Sequence, residues 1–549
     1  MRKQLWIVLL LAGGCLTTVR AQQADAPFLP REGDAACKAW VDSVMKRLSV
    51  RDKIGQLLIM TLPAEASPKW TKRLQEAVKK HRVGGLLFGH GTAEEQAILT
   101  NRAQREADVP LLITFDGEWG SGMRLKEMAD FPMNASLGCI DNDSLIYAYG
   151  REVARELHAL GVHVNFAPDA DVNINPKNPV INRRSFGENP RRAAAKVVAY
   201  GRGLEAGGVL SVSKHFPGHG DTDVDSHKAL PVLPFSRARL DSIELVPFRA
   251  AIGAGLGGMM VGHLQVPLFE PDGETPSSLS HTLVTSLLKE ELGFRGLVFT
   301  DALEMKGVSD VPQVTTKALL AGNDMLLAQN TLDKAVKELQ QAVRQNKLTR
   351  EALDAKCRKV LTYKYMLGLS RRPEPLQVSG ISYRMNTVEA KTLAAVLRRE
   401  AVTLLDGRVG MLPLALYQGT PVAVLSVGAG TDSVFVSELQ RSTPIHIERF
   451  TLSAADSTEA DIRRLATALA HYRRVVVSVT GPDTEQAPYA ERLQQLALPT
   501  MPIYVFFNSY RAMLALDEPL KRAGAAVLAH SGEPDLQQYV AAILFGRAR

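Results

Sequence analysis

Four cysteines in 549 residues, at positions 15, 37, 139 and 357, form no CxxC pair, so zinc ribbons and dithiol redox motifs have no footing here. No Walker A loop and no HExxH motif occurs, which removes P-loop nucleotide hydrolysis and zincin chemistry. Apolar runs are short as well: after the first residues none approaches the roughly 18 uninterrupted apolar positions that a bilayer-spanning helix needs. A dominant charge is also lacking. The 65 Lys+Arg against 58 Asp+Glu give +7, and Arg2, Lys3 and Arg20 of that surplus lie in the first 21 residues. The remainder is too weak and scattered to indicate a nucleic-acid partner.

What is present is an ordinary globular composition, 46% hydrophobic and 22% charged, in a chain long enough for two domains. The N-terminus has a basic start, an apolar run from Leu5 to Ala12 and a Val19-Arg20-Ala21 stop, the pattern of an export signal over 1–21. The expected location is therefore periplasmic or secreted. Lipid attachment at Cys15 is disfavoured, because Ala12-Gly13-Gly14 lacks the large aliphatic residue usual three places before such a cysteine. The remaining Cys37, Cys139 and Cys357 read as buried or idle thiols.

Between residues 54 and 330, eight short apolar runs alternate with amphipathic stretches: IGQLLIMTL, VGGLLFGHG, PLLITFDGE, HVNFAPDAD, VLSVSKHFPG, GGMMVGHL, GLVFTDAL and NDMLLAQ. The intervening WTKRLQEAVKKHR and AEEQAILTNRAQREAD place apolar residues at helical spacing. Eight strand–helix pairs predict a (β/α)8 TIM-like barrel over 35–370, with its site at the carboxyl ends of the strands. Asp116, Asp169, Lys214 with His215, His263 and Asp301 all fall just past the apolar part of a run, which favours the barrel over a doubly wound sheet. A segment over 371–384 then reads as a linker. Beyond it VAVLSVG, RVVVSVTG, PIYVFFNS and AAVLAHS predict a smaller three-layer α/β sandwich domain over 385–549.

Some motif matches fail on context. GAGLGG (253–258) fits GxGxxG but precedes its strand, so it cannot offer amides from a strand-to-helix turn. SxxK occurs at Ser43 and Ser286 inside amphipathic helices without partner motifs. Asp301 in LVFTDALEM and Asp116 in LLITFDGEW end apolar strands, where either could simply cap the next helix. Several acids gathered on one rim argue for a ligand, since like charges repel unless something compensates them.

The stretch KHFPGHGDTDVDSHKALP (214–231) carries three histidines and three aspartates on a segment broken by Pro and Gly, a loop rising from the barrel rim. Its His215, His219, Asp221, Asp225 and His227 could ligate a metal, but they lack the tight pairing of catalytic zinc sites, and neither metal nor cofactor is expected. The alternative is acid/base work, with Asp225 fixing one imidazole nitrogen of His227 and the other nitrogen exchanging the proton.

This loop resembles, nearly letter for letter, the signature of the bacterial β-N-acetylglucosaminidases of glycoside hydrolase family three. RRSFGENP (183–190), NFAPDADVN (165–173), TDALEM around Asp301, AGNDMLL (321–327) and the Asp-x-Glu segment at Asp116 extend the similarity over about residues 40–370. The resemblance implies a retaining exo-glycosidase acting on a GlcNAc-containing carbohydrate. Asp301 matches the nucleophile, His227 with Asp225 the acid/base pair, and Asp116, Arg124, Arg184, Lys214 and His215 the residues that grip sugar hydroxyls. Asp169 reads as a structural rim acid. Two departures stand out: the family's DxEGG segment is DGEWG here, placing Trp119 in the turn, and the second domain stops at ILFGRAR where relatives commonly run on, so it is expected to be truncated. Competing readings are a β-glucosidase-type enzyme whose acid is Glu485 of the second domain, a noncatalytic glycan-binding barrel, and transfer to phosphate instead of water.

Overall fold

A computed structural model of the chain describes residues 26–548, except 32, 227, 272, 274, 329–331, 406–410, 415–419, 443–444, 486–488, 497, 499 and 500. The export signal, with Cys15, and His227 thus lie outside the described residues. The chain divides into two compact units that meet at Lys391 and Thr392.

In the first unit, β1 (Leu58–Ala64), β2 (Gly85–Gly91), β3 (Leu112–Phe115), β4 (Val164–Asn165), β5 (Leu210–Phe216), β6 (Gly258–Val261), β7 (Leu297–Ala302) and β8 (Met325–Leu327) close into a barrel in chain order. All neighbours are parallel, and Ile59 closes the ring by pairing with Gly85 on one side and Leu327 on the other. The eight apolar runs of the sequence are these eight strands. Their side chains fill the barrel; Phe166 and Phe299, both buried, meet edge to face at 5.3 Å. Burying each such ring is worth about 1.5–3 kcal/mol before its ordering cost.

Helices follow the strands where the amphipathic stretches stand. Ala93–Glu106 starts at Thr92, whose hydroxyl accepts the Glu95 amide, and turns Ala97, Leu99 and Ala103 inward. Segment 68–80 is α-helical to Gln75 and then opens into a π-turn through Lys80. Around residues 372–385 the chain lies along this unit: Leu376 exchanges two hydrogen bonds with Asn101, at 2.7 and 2.8 Å. A short helix, Ile381–Met385, occurs there.

The second unit holds a six-stranded sheet in the order β11-β10-β12-β13-β14-β9. It comprises β9 (Thr403–Leu405), β10 (Val422–Val427), β11 (Ile447–Leu452), β12 (Arg474–Val479), β13 (Ile503–Phe506) and β14 (Ala525–Leu528). Only β9 is antiparallel. Separate apolar clusters cover its two faces, as the sandwich expectation requires. The described cysteines are free thiols; burial pushes Cys357 up to about 12 and so makes it inert. Among the described residues no helix is long and apolar enough to cross a membrane.

Candidate active site

The expected residues collect at one end of the barrel. Asp116 directly follows β3, and Asp301 is the penultimate residue of β7. Lys214 and His215 belong to β5 itself, so the loop expected from residue 214 starts later. The strand is prolonged because the segment after β4 continues the ladder: the Ala170 amide donates to the Lys214 carbonyl at 2.6 Å, and Lys214 donates to the Pro168 carbonyl at 3.1 Å. The loop proper begins at Pro217.

These strand ends support a dense network of charge. Lys214 donates to Asp116 at 2.5 Å and lies 2.7 Å from Glu118. Arg124 pairs with the other Asp116 oxygen and donates from Nη1 to His90 at 3.3 Å. Arg184, from the turn at 182–184, grips Glu118 with Nη2 at 2.7 Å and with Nε at 3.0 and 3.1 Å. Burial alone would raise the Asp116 pKa, yet Lys214, Arg124 and Arg184 hold it well below the usual carboxylate range. Glu118 behaves alike: burial opposes ionisation, but Arg184 and Lys214 lower its pKa. On Lys214 burial works against the charge, while Asp116 and Glu118 raise its pKa and keep the ammonium.

Rigid backbone fixes this network in place. Asn165 at the end of β4 clamps Gly117 from both sides, accepting its amide at 2.9 Å and donating to its carbonyl at 3.0 Å. Tyr200 also donates to the Gly117 carbonyl, at 3.0 Å. Ser121 is held from below by Glu156, through its amide at 3.1 Å and its hydroxyl at 2.7 Å.

His215 is fixed in one tautomer. Arg184 can only donate, and its Nη2 lies 3.2 Å from Nε2, so the proton sits on Nδ1 and is given to Asp171 at 2.7 Å. Asp171 also accepts the amides of His219 at 2.7 Å and His215 at 3.3 Å. Burial would raise its pKa, but His215 and the other donors lower it. By the same logic His263 donates from Nε2 to the Ala302 carbonyl at 3.0 Å and accepts at Nδ1 from Ser278, at 2.7 Å. It thereby steadies the residue next to Asp301. Around Asp301 burial again opposes ionisation, yet the Ala302 amide at 2.8 Å and the nearby charge of Lys214 favour the carboxylate, and its pKa lies below the ordinary value.

The β5–β6 loop is anchored close to its start. A Cβ on Gly220 would stand 1.9 Å from the Val172 carbonyl, so only glycine permits this approach. His219 is buried and takes a hydrogen bond partner in Thr222 at 2.8 Å, a loop-shaping role; burial pushes its pKa down to about 4. Further on, the Lys228 and Ala229 amides turn back onto the Asp225 carbonyl at 2.8 and 3.0 Å. The same stretch crosses Gly307 of the β7 loop: a Cβ there would lie 3.4 Å from the Ser226 carbonyl and 3.6 Å from the His263 Cβ. The Asp225 loop and the Asp301 strand end therefore share one side of the barrel mouth.

Asp169, Asp171 and His215 lie close enough to suggest a cation site. The donor set does not fit one: Asp171 is engaged by His215 and two amides, and Arg184 and Lys214 already supply positive charge. Glu118 and Asp171 carry much of this site and were given no role by the sequence reading. Their signal was there, as carboxylates two residues beyond Asp116 and Asp169. Glu485, the rival acid, accepts from Ser509 at 2.5 Å within the second unit.

The model of the glycosyl hydrolase family 3 N-terminal domain matches residues 49–363. Beta-hexosaminidase A of Pseudoalteromonas piscicida is 36% identical over 345 residues, 56% of this chain and 56% of that protein, so the match spans about half the length of that relative. Beta-hexosaminidase LpqI of Mycobacterium tuberculosis is 33% identical over 369 residues, 64% of this chain and 91% of that one. Among solved structures, a family 3 β-N-acetylglucosaminidase from Paenibacillus sp. FPU-7 is similar with a TM-score of 0.73 and 28% identity, covering 91% of this chain and 97% of that one. The family model covers more than half of the chain and falls on its closed eight-stranded barrel, and the chain belongs to glycosyl hydrolase family 3.

Proposed function

We propose that the protein is an exported, retaining exo-β-N-acetylglucosaminidase that removes terminal β-GlcNAc from peptidoglycan fragments or related glycans in the periplasm or outside the cell. The observation that carries this reading is Asp301, a strand-end carboxylate biased to its ionised form beside the Lys214–Asp116–Glu118–Arg184 network. The names of the hexosaminidase relatives and the Paenibacillus neighbour support GlcNAc as the sugar. The leader over 1–21 supports export.

In the first step an Asp301 carboxylate oxygen attacks the anomeric carbon as the glycosidic bond breaks, and the leaving oxygen takes the proton of His227. In the second, His227 takes a proton from water, whose oxygen displaces Asp301 and releases the sugar with its configuration retained. Asp225 holds the imidazole in the tautomer this requires. An imidazole acid puts no second carboxylate beside the nucleophile, so Asp301 stays ionised without like-charge repulsion. Asp116, Arg124, Arg184, Lys214 and His215 present both acceptors and donors, the mix that reads neighbouring hydroxyls.

A 5-fluoro GlcNAc analogue tests the reading by trapping the glycosyl-enzyme. Peptide mapping should place the label on Asp301, and a label on any other residue overturns it. Asp225→Ala and His227→Ala should slow substrates with poor leaving groups more than activated aryl glycosides, because only the former need full protonation. Running the assay with and without phosphate reports the acceptor.

A further inference from the structure

Asp169 is fully buried on the segment that pairs with Lys214. Its Oδ1 accepts the Asp171 amide at 3.0 Å, while Oδ2 has no hydrogen-bond partner among the described residues. Arg184 Nε stays 3.9 Å from that oxygen because the guanidinium is committed to Glu118. Ligand atoms of Asp169, Asp171 and His215 lie within 4.8 Å of one another. The groups around Asp169 are the carboxylates of Asp171 and Glu118, the cations Arg184 and Lys214, and the ring of His215.

Two ionised carboxylates this close in a buried site repel strongly. The donors decide which acid gives way. Asp171 receives the His215 ring proton and two amides, and Glu118 receives the Arg184 fork and Lys214. Asp169 has one amide and an orphaned oxygen. We propose that Asp169 is held as the neutral carboxylic acid and acts as a positioning residue, its proton leaving Arg184 wholly to Glu118. Burial and the charges of Asp171 and Glu118, which raise its pKa well above the ordinary value, act in the same direction. Ionised, Asp169 would compete for Arg184 and pull it from the arrangement that grips sugar. The functional half of this inference rests on the proposed role of Arg184; the protonation state does not.

The test pairs infrared spectroscopy with kinetics on the full chain. At about pH 8, where most other carboxyls are ionised, the wild type should show the carbonyl band of a protonated carboxylic acid, shifted by deuteration and lost in Asp169→Asn. Asp169→Asn should keep kcat/KM on an aryl GlcNAc within about threefold at neutral pH, since amide and acid are both neutral. Its alkaline limb should move upward, because wild-type activity is present while Asp169 is protonated and falls as pH rises through its folded pKa. A difference spectrum with no lost band overturns the proposal. So does a loss above about a hundredfold in kcat/KM by a variant with an unchanged thermal midpoint. Should Asp169→Asn not fold, the wild-type spectra decide alone, and the absence of a deuteration-sensitive acid band at about pH 8 overturns the proposal. Inactivity of the wild type on GlcNAc substrates would sink the functional reading and leave the infrared result standing.

Discussion

Replacing Glu118 with Gln should destabilise the barrel more than replacing Arg184 with Met, although the two side chains are partners. Glu118→Gln removes the negative charge opposite Arg184 and leaves it a single amide oxygen in place of the carboxylate, with the His215 ring at 3.2 Å and Asp169 at 3.9 Å as its other neighbours. Removing one member of a buried pair in this way costs about 3–5 kcal/mol. Arg184→Met is milder, because Glu118 keeps Lys214 at 2.7 Å, and about 2–3 kcal/mol is expected for the lost charge-assisted bonds. In the double variant no orphan charge remains on either side. Its cost should fall short of the sum by about 2–3 kcal/mol. Intrinsic fluorescence under guanidinium can measure this in the first unit alone, since the tryptophans are Trp6, Trp40, Trp70 and Trp119 and the second unit has none. The reasoning is refuted if Glu118→Gln costs no more than Arg184→Met, or if the two effects add within about 0.5 kcal/mol.

Burial raises Glu156 from 4.5 to about 7, so the folded state holds its proton more tightly than the unfolded chain. Stability from this group is complete below 4.5 and declines as pH rises through 7, by at most about 3 kcal/mol. Glu156→Gln should flatten that decline in fluorescence-monitored unfolding, leaving the part due to Glu205, which burial also raises to about 7. An unchanged slope would contradict the assignment. Gly220→Ala forces a Cβ against the Val172 carbonyl, and kcat/KM should drop at least about tenfold as the Asp225 loop shifts; wild-type kinetics would show that the contact is slack.

The barrel was legible because each of its strands is an apolar run closed by glycine or a polar residue, even β4, which pairs over only Val164–Asn165. In the second unit β9 and β11 were not read. β9 is three residues long, and β11 (IERFTL) exposes Glu448 and Arg449 at the sheet edge, so neither carries an apolar run. The π-turns in 76–80 and 282–291 have no sequence period of their own. At the site, family resemblance points to Asp116, Arg124, Arg184, Lys214 and His215, which the structure brings together, but which acid faces which cation is not legible in the sequence. That depends on how the 117–121 turn is clamped by Asn165, Tyr200 and Glu156, contacts between residues 35 to 83 positions apart. The bends that carry Lys214 into a strand and Arg124 toward His90 are likewise tertiary.

The Val172–Gly220 contact separates the molecule's chemistry into parts with different tolerance for change. Everything in the network of Asp116, Glu118, Arg124, Arg184 and Lys214 is anchored to strand ends and their buried clamps, so altering one member disturbs the rest. The Asp225 and His227 stretch, beyond that contact, is a connection between β5 and β6, fastened at its far end where Leu233 and Gln265 pair at 2.8 Å. Between those two fasteners the stretch touches the rest of the unit at fewer points, chiefly Thr222 with Asn178, Asp221 with Arg239 and Ser226 beside Gly307, so exchanges that keep these contacts leave the barrel packing intact. In the proposed reading that makes the proton donor the replaceable part of the enzyme and the sugar-binding floor the inherited one, and new leaving groups would be acquired by rewriting the loop alone.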